Sequence, residues 1–115
     1  MGQVDPNVVA QAGIDHLQDA IDALNALELR PGADIPGIDE KIKLLIAKQE
    51  ALRDQALQQI EDNPDNQAAI AAMNAAAATL KTTAGTIASV ATALTDAAAV
   101  VSAAASLIAA VAPFL

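Results

Sequence analysis

The chain has 115 residues, no cysteine, and a formal net charge of −8 from 14 acids and 6 bases. That length suits one domain with one modest core. The acid excess repels phosphate backbones, so no nucleic-acid partner is expected, and without cysteine there is no disulfide, thiolate metal site or thiol nucleophile.

Hydrophobic residues make up 54% of the chain, yet Phe114 is its one aromatic side chain. The core has to be aliphatic and rich in alanine, the best helix former and the one that buries least area. Residues Met1 to Pro6 carry neither a basic nor an apolar signal region. That predicts no Sec-type leader, and so the cytoplasm or export by a signal-less route.

A first helix is expected over about residues 6–29. Asp5 suits its N-cap and Pro6 its first turn. Ala10, Ile14, Leu17, Ile21 and Leu24 then recur at spacings of four and three, the helical signature. Asp15, Asp19 and Asp22 line the opposite side, next to the lone histidine, His16. That acidic face is either solvated or a docking face for a basic protein surface.

Pro31-Gly32 and Pro36-Gly37 are turn signals. A second helix is predicted over about 36–62, with Ile38, Ile42, Leu45, Leu52, Ala56 and Ile60 on one stripe that Gln49 interrupts. Asn63-Pro64-Asp65 reads as a stop and restart, with Asn63 or Asp65 as the next cap.

A third helix is predicted over about 64–112, and it holds the strongest pattern in the chain. Met73, Leu80, Ile87, Leu94, Val101, Ile108 and Leu115 lie seven apart. Four residues after each of the first six stands an alanine: Ala77, Ala84, Ala91, Ala98, Ala105 and Ala112. Alanine fills 21 of the 48 residues from Ala68 onward, so that half of the pattern carries little weight. The large half carries more, because seven of the thirteen large apolar residues in the span occupy every position of one register. A sustained seven-residue period signals a left-handed coiled coil, and alternating large and alanine positions allow close helix approach. The repeat keeps its count through Gly85, which favours one continuous helix. Gly85 with Thr82, Thr83 and Thr86 is nevertheless its weakest point, and a break there would give four helices. The fold class expected is all-α: a helical hairpin packed on one long Ala-rich C-terminal helix, in a coiled coil or bundle.

At 1.5 Å per residue that helix would reach about 70 Å, against roughly 35 Å for each of the first two. Its second half therefore needs another cover. Up to Asp96 it has a polar back that includes Asn74, Lys81, Ser89, Thr92 and Thr95. From Ala97 to Leu115 there is no charged side chain, and Val100, Leu107 and Phe114 form a second stripe. A helix apolar all round is buried in protein or in lipid. The first reading is a protein-buried assembly, in which copies pair along the Met73–Leu115 seam into a homo-oligomeric bundle or filament. The alternative is a membrane-active or membrane-anchored protein that inserts residues 97–115, which reach the length of a span but lack Lys, Arg, Trp or Tyr anchors. A groove for an apolar ligand is the third reading.

No catalytic, metal or cofactor site is predicted. His16 with Asp15 and Asp19 is too thin a ligand set for zinc. Ser89, Ser102 and Ser106 sit in a helical repeat, without the strained turn of a nucleophile. The five glycines form no phosphate loop. Asp96 is expected to be exposed at the end of the polar back. The function expected is that of a non-enzymatic helical protein that self-assembles.

Overall fold

Asp5 opens the first helix as its chemistry predicts. Its Oδ1 accepts the Asn7 amide at 2.9 Å, and Pro6 fills the first helical position, where a missing amide costs nothing. This helix, α1, runs Pro6–Glu28. The computed structural model describes residues 3–30, 35–55, 57–61 and 63–114. In it α2 spans Ile38–Arg53, α3 Gln67–Ala84 and α4 Ala93–Val111. Single turns of 3₁₀ helix, Val90–Thr92 and Ala112–Phe114, flank α4. Two-residue strands β1 (Gln3–Val4) and β2 (Ile60–Glu61) pair antiparallel, Gln3 opposite Glu61 and Val4 opposite Ile60. The fold is an all-α bundle. The turn expected at Pro31-Gly32, and residues Ala56, Asp62 and Leu115, lie outside the described residues.

Helix α2 starts after Gly37, whose φ of +81° is open to glycine at no Cβ cost. Asp39 and Glu40 in its first turn and Arg53 in its last complement the helix dipole. It ends at Arg53 rather than near residue 62 as the stripe suggested. Leu57 and Ile60 are buried, but the backbone that carries them bonds elsewhere. The Gln58 amide donates to the Phe114 carbonyl at 2.8 Å, the Asn7 Nδ2 donates to the Leu57 carbonyl at 3.0 Å, and Ile60 joins β2. These tertiary bonds replace the helical ladder. Helix α3 likewise starts later than expected. The Asn66 amide donates to both the carbonyl and the Oδ1 of Asn63, at 3.0 and 3.1 Å. Asn63 thus closes a turn around Pro64 instead of capping the helix.

The largest difference from expectation is the break after Ala84, which replaces the favoured continuous helix with α3 and α4. Threonine hydroxyls bond on either side of it. Thr83 Oγ1 donates to the Thr79 carbonyl and Thr86 Oγ1 to the Thr83 carbonyl, each at 2.7 Å, so side chains occupy carbonyls near the helix end. Ser89 Oγ then accepts the Ala91 amide at 3.2 Å and starts the turn into α4. The seven-residue count survives this reversal, but the direction it points does not. Met73, Leu80 and Ile87 are buried, whereas the buried stripe of α4 is Ala93, Ala97, Val100, Ala104, Leu107 and Val111. That stripe lies one residue before the repeat, which is about 100° of rotation around the helix.

The helices run up-down-up-down. Gln49 on α2 bonds to Ile14 and Gln18 on α1, while Glu28 at the end of α1 meets Asp39 at the start of α2. Gly37 stands against Leu94, and Leu52 and Leu107 meet at Gly13, so α2 and α4 are parallel neighbours. Helices α1 and α4 touch all the others, and α2 and α3 lie on opposite sides. The chain from Asp54 to Asn66 therefore crosses the end of the bundle, where β2 meets β1. At the centre of the bundle an added β-carbon on Gly13 would collide with Leu107 and stand 3.2 Å from Leu52. Glycine there lets α1 close onto α4. Leu17, Leu24, Leu45, Leu52, Leu80 and Leu107 fill the core, each worth about 1.5–3 kcal/mol of burial.

Gln49 is the buried polar side chain of the core among the described residues, 6% exposed. Its Nε2 donates to the Ile14 carbonyl and the Gln18 Oε1, each at 3.1 Å, which explains the interruption in the apolar stripe. The accessible surface is 6273 Å². A compact monomer of 11.6 kDa is expected to expose about 5,800 Å². The uncovered overhang expected of a single long helix is thus removed by folding α4 back along α3.

Candidate functional site

The break divides the predicted seam into two halves with different fates. In the first, Met73, Leu80, Ala84 and Ile87 are buried and Ala77 is half-buried, so they serve this chain's own core. Ala91, in the turn, is exposed. In the second, Leu94 is 40% exposed, Ala98, Ala105 and Ala112 are exposed, and Val101 and Ile108 are half-buried. Leu115 lies outside the described residues. The second predicted stripe has the opposite fate: Val100 and Leu107 are fully buried and Phe114 is half-buried. Leu94, Ala98, Val101, Ala105, Ile108 and Ala112 therefore form a strip about 27 Å long on the flank of α4. Large and alanine side chains alternate along it.

Little polar chemistry competes for that strip. Of the 14 acids and 6 bases, only Asp96 and Lys81 fall beyond residue 66. Asp96 is half-exposed in the first turn of α4 and accepts the Thr92 Oγ1 at 2.9 Å. An acid there complements the positive end of the helix dipole. This role exists only because the helix begins anew after Ser89, so the continuous-helix reading could not see it. The Ser106 hydroxyl turns back to the Ser102 carbonyl at 3.2 Å. The segment Val90–Phe114, 25 residues, is long and apolar enough to cross a membrane, and 33% of its most apolar window is buried.

Other exposed large apolar residues, Val8, Leu29, Leu44 and Ile46, are scattered over α1, α2 and the start of the first connection, an ordinary surface pattern. On the acidic face of α1, Gln11 Nε2 donates to Asp15 at 3.1 Å and Gln18 Nε2 to Asp22 at 2.9 Å, while Asp19 is exposed and His16 half-buried. A shallow depression of about 440 Å³ runs along that face between Asp5 and Asp15, past Val8 and Gln11. No group of three or more His, Cys, Asp or Glu side chains that could hold a metal stands together among the described residues. Where α1 meets α2, the Glu28 carboxyl hydrogen-bonds Asp39. That bond, with desolvation and the Asp39 charge, holds its pKa above the ordinary glutamate value of 4.5.

Two features escaped the sequence reading. The bonding of Gln49 had a signal, a lone amide in an apolar stripe. The Glu28–Asp39 pair had none, because it depends on how the two helices meet. No protein-family model, curated protein or solved structure matches the chain.

Proposed function

We propose that the chain is a non-enzymatic helical protein that self-assembles through the outer flank of α4, as a homo-oligomeric bundle or filament subunit. The observation that carries this is the Val90–Phe114 segment, apolar over 25 residues and only a third buried in its most apolar window in one copy. Covering apolar surface yields about 25 cal/mol per Å², and the strip from Leu94 to Ala112 carries no charged side chain. The acids of α1 and α2 would stay outward and keep the assembly soluble.

The same segment favours a second reading, insertion into a bilayer, because its length and charge meet the requirement for a span. Magnitudes rank it second. Leaving the bundle would forfeit the burial of Val100, Leu107 and Val111, about 1.5–3 kcal/mol each. Insertion returns only about 0.3–0.6 kcal/mol per large apolar residue, and less for alanine.

Sedimentation velocity on the full chain tests the proposal. The wild type should grow in mass between micromolar and hundreds of micromolar, and Ala105→Glu should remain monomeric with an unchanged far-UV circular dichroism spectrum. A wild type that stays monomeric over that range would sink the assembly reading. Recovery of the dilute chain with neutral vesicles in flotation would put the membrane reading in its place.

A further inference from the structure

We infer that two copies pair along α4 in antiparallel orientation about a two-fold axis that crosses the strip between Val101 and Ala105, with Leu94, Ala98 and Val101 of one copy level with Ala112, Ile108 and Ala105 of the other. This rests on the α4 self-assembly reading and specifies its geometry.

The argument begins with spacing. The intervals from Leu94 to Ala98, Val101, Ala105, Ile108 and Ala112 are four, three, four, three and four, which read the same in both directions. The sizes do not: every large residue becomes an alanine when the strip is reversed. A second copy turned end for end therefore sets a large side chain against an alanine at all six positions, and the two helices keep an even separation along the strip. A parallel pair in register does the reverse. It sets Leu94, Val101 and Ile108 against themselves and alanine against alanine, so contact and gap alternate. A parallel pair offset by half a repeat restores large against small, but it leaves both ends uncovered and cannot close by a two-fold.

The helix dipoles select the same arrangement, because an antiparallel pair sets each helix N-terminus next to its partner's C-terminus. Alanine on alternate rungs permits interaxial distances near the short end of the usual range, about 8 Å. A single helix pair of this length lies at the low end of specific interface areas. The dimer should therefore form and dissociate with concentration, and it should tighten as salt screens the −8 charge on each copy.

The absence of native cysteine gives a clean background for cross-linking. Leu94→Cys and Ala112→Cys are made separately in the full chain, oxidised at concentrations where the wild type associates, and run on non-reducing gels alone and mixed. Ala98→Cys with Ile108→Cys is a second pair, and circular dichroism checks that each variant folds. Mixing should give a disulfide-linked dimer holding one copy of each variant, at least tenfold more than either variant alone. Self-linked Leu94→Cys would overturn the antiparallel geometry while leaving self-assembly intact. Dimers in sedimentation without cross-links from either pair would overturn the α4 seam itself. A chain that never associates would overturn this inference and the assembly reading together.

Discussion

At Gly13 two effects of known size oppose each other. Alanine in a helix interior is favoured over glycine by about 1 kcal/mol. A β-carbon at this position, however, would collide with the Leu107 Cδ2 methyl, which would have to shift within a fully buried site. Overpacking of that kind costs about 1–3 kcal/mol, so Gly13→Ala should lower stability by about 1 kcal/mol in urea denaturation. Gly85 is the opposite case. Its φ is −73° and an added β-carbon would stand 3.4 Å from the Lys81 carbonyl oxygen. Gly85→Ala should therefore raise stability by about 0.5 kcal/mol, through the entropy of the unfolded chain. The hydroxyl bonds of Thr83 and Thr86 flank the break at this point. Glu28 adds a pH dependence. Its pKa in the fold lies above the unfolded value, because of the hydrogen bond with Asp39 and that group's charge. A raised pKa means that the folded state holds the proton more tightly, so this group favours folding below its unfolded pKa and loses that contribution as pH rises through the folded value. The melting temperature of Glu28→Gln should exceed that of the wild type at pH 7. The difference should shrink toward pH 4.

Among the helices, α1 was legible from the sequence because every local signal agreed: an Asp cap, a proline at the first position and a stripe at spacings of three and four. The start of α2 was legible from the Pro36-Gly37 turn signal. Its end was not, because Ala56 and Ile60 keep helical spacing with Leu52 while the Gln58 amide bonds to Phe114 and Ile60 pairs with β1. The division of the third helix was hidden by a coincidence of count. The turn between Ala84 and Ala93 preserves the seven-residue interval while rotating the inward face by one residue. Periodicity reports that a stripe exists and is silent on whether it points in or out. The cluster Thr82, Thr83 and Thr86 around Gly85 was the available signal for a break. The consequence can be measured. In a continuous seam Leu94 would be a core position and Leu107 a flanking one. In the bundle the order is reversed, with Leu107 fully buried and Leu94 40% exposed. Leu107→Ala should cost about 3 kcal/mol and Leu94→Ala less than about 1 kcal/mol, read as the shift in urea midpoint at a dilution where the chain is monomeric.

Across the whole molecule, charge and apolar surface are segregated. All but one of the 14 acids lie before residue 67, on α1, α2 and their connections, whereas α3 and α4 carry one charge of each sign. The charge thus sits on the first hairpin and its connections, and the second is nearly uncharged. The central claim is that the fold divides the seven-residue repeat, so that Ala104 faces this chain's core and its neighbour Ala105 faces another copy. Thiol labelling of Ala104→Cys and Ala105→Cys over a dilution series tests that claim most directly. The cysteine at position 104 should be protected at every concentration. The one at 105 should react quickly when dilute and at least tenfold more slowly where the chain associates. Equal reactivity at the two positions would contradict the fold, and reactivity at 105 that ignores concentration would contradict the assembly.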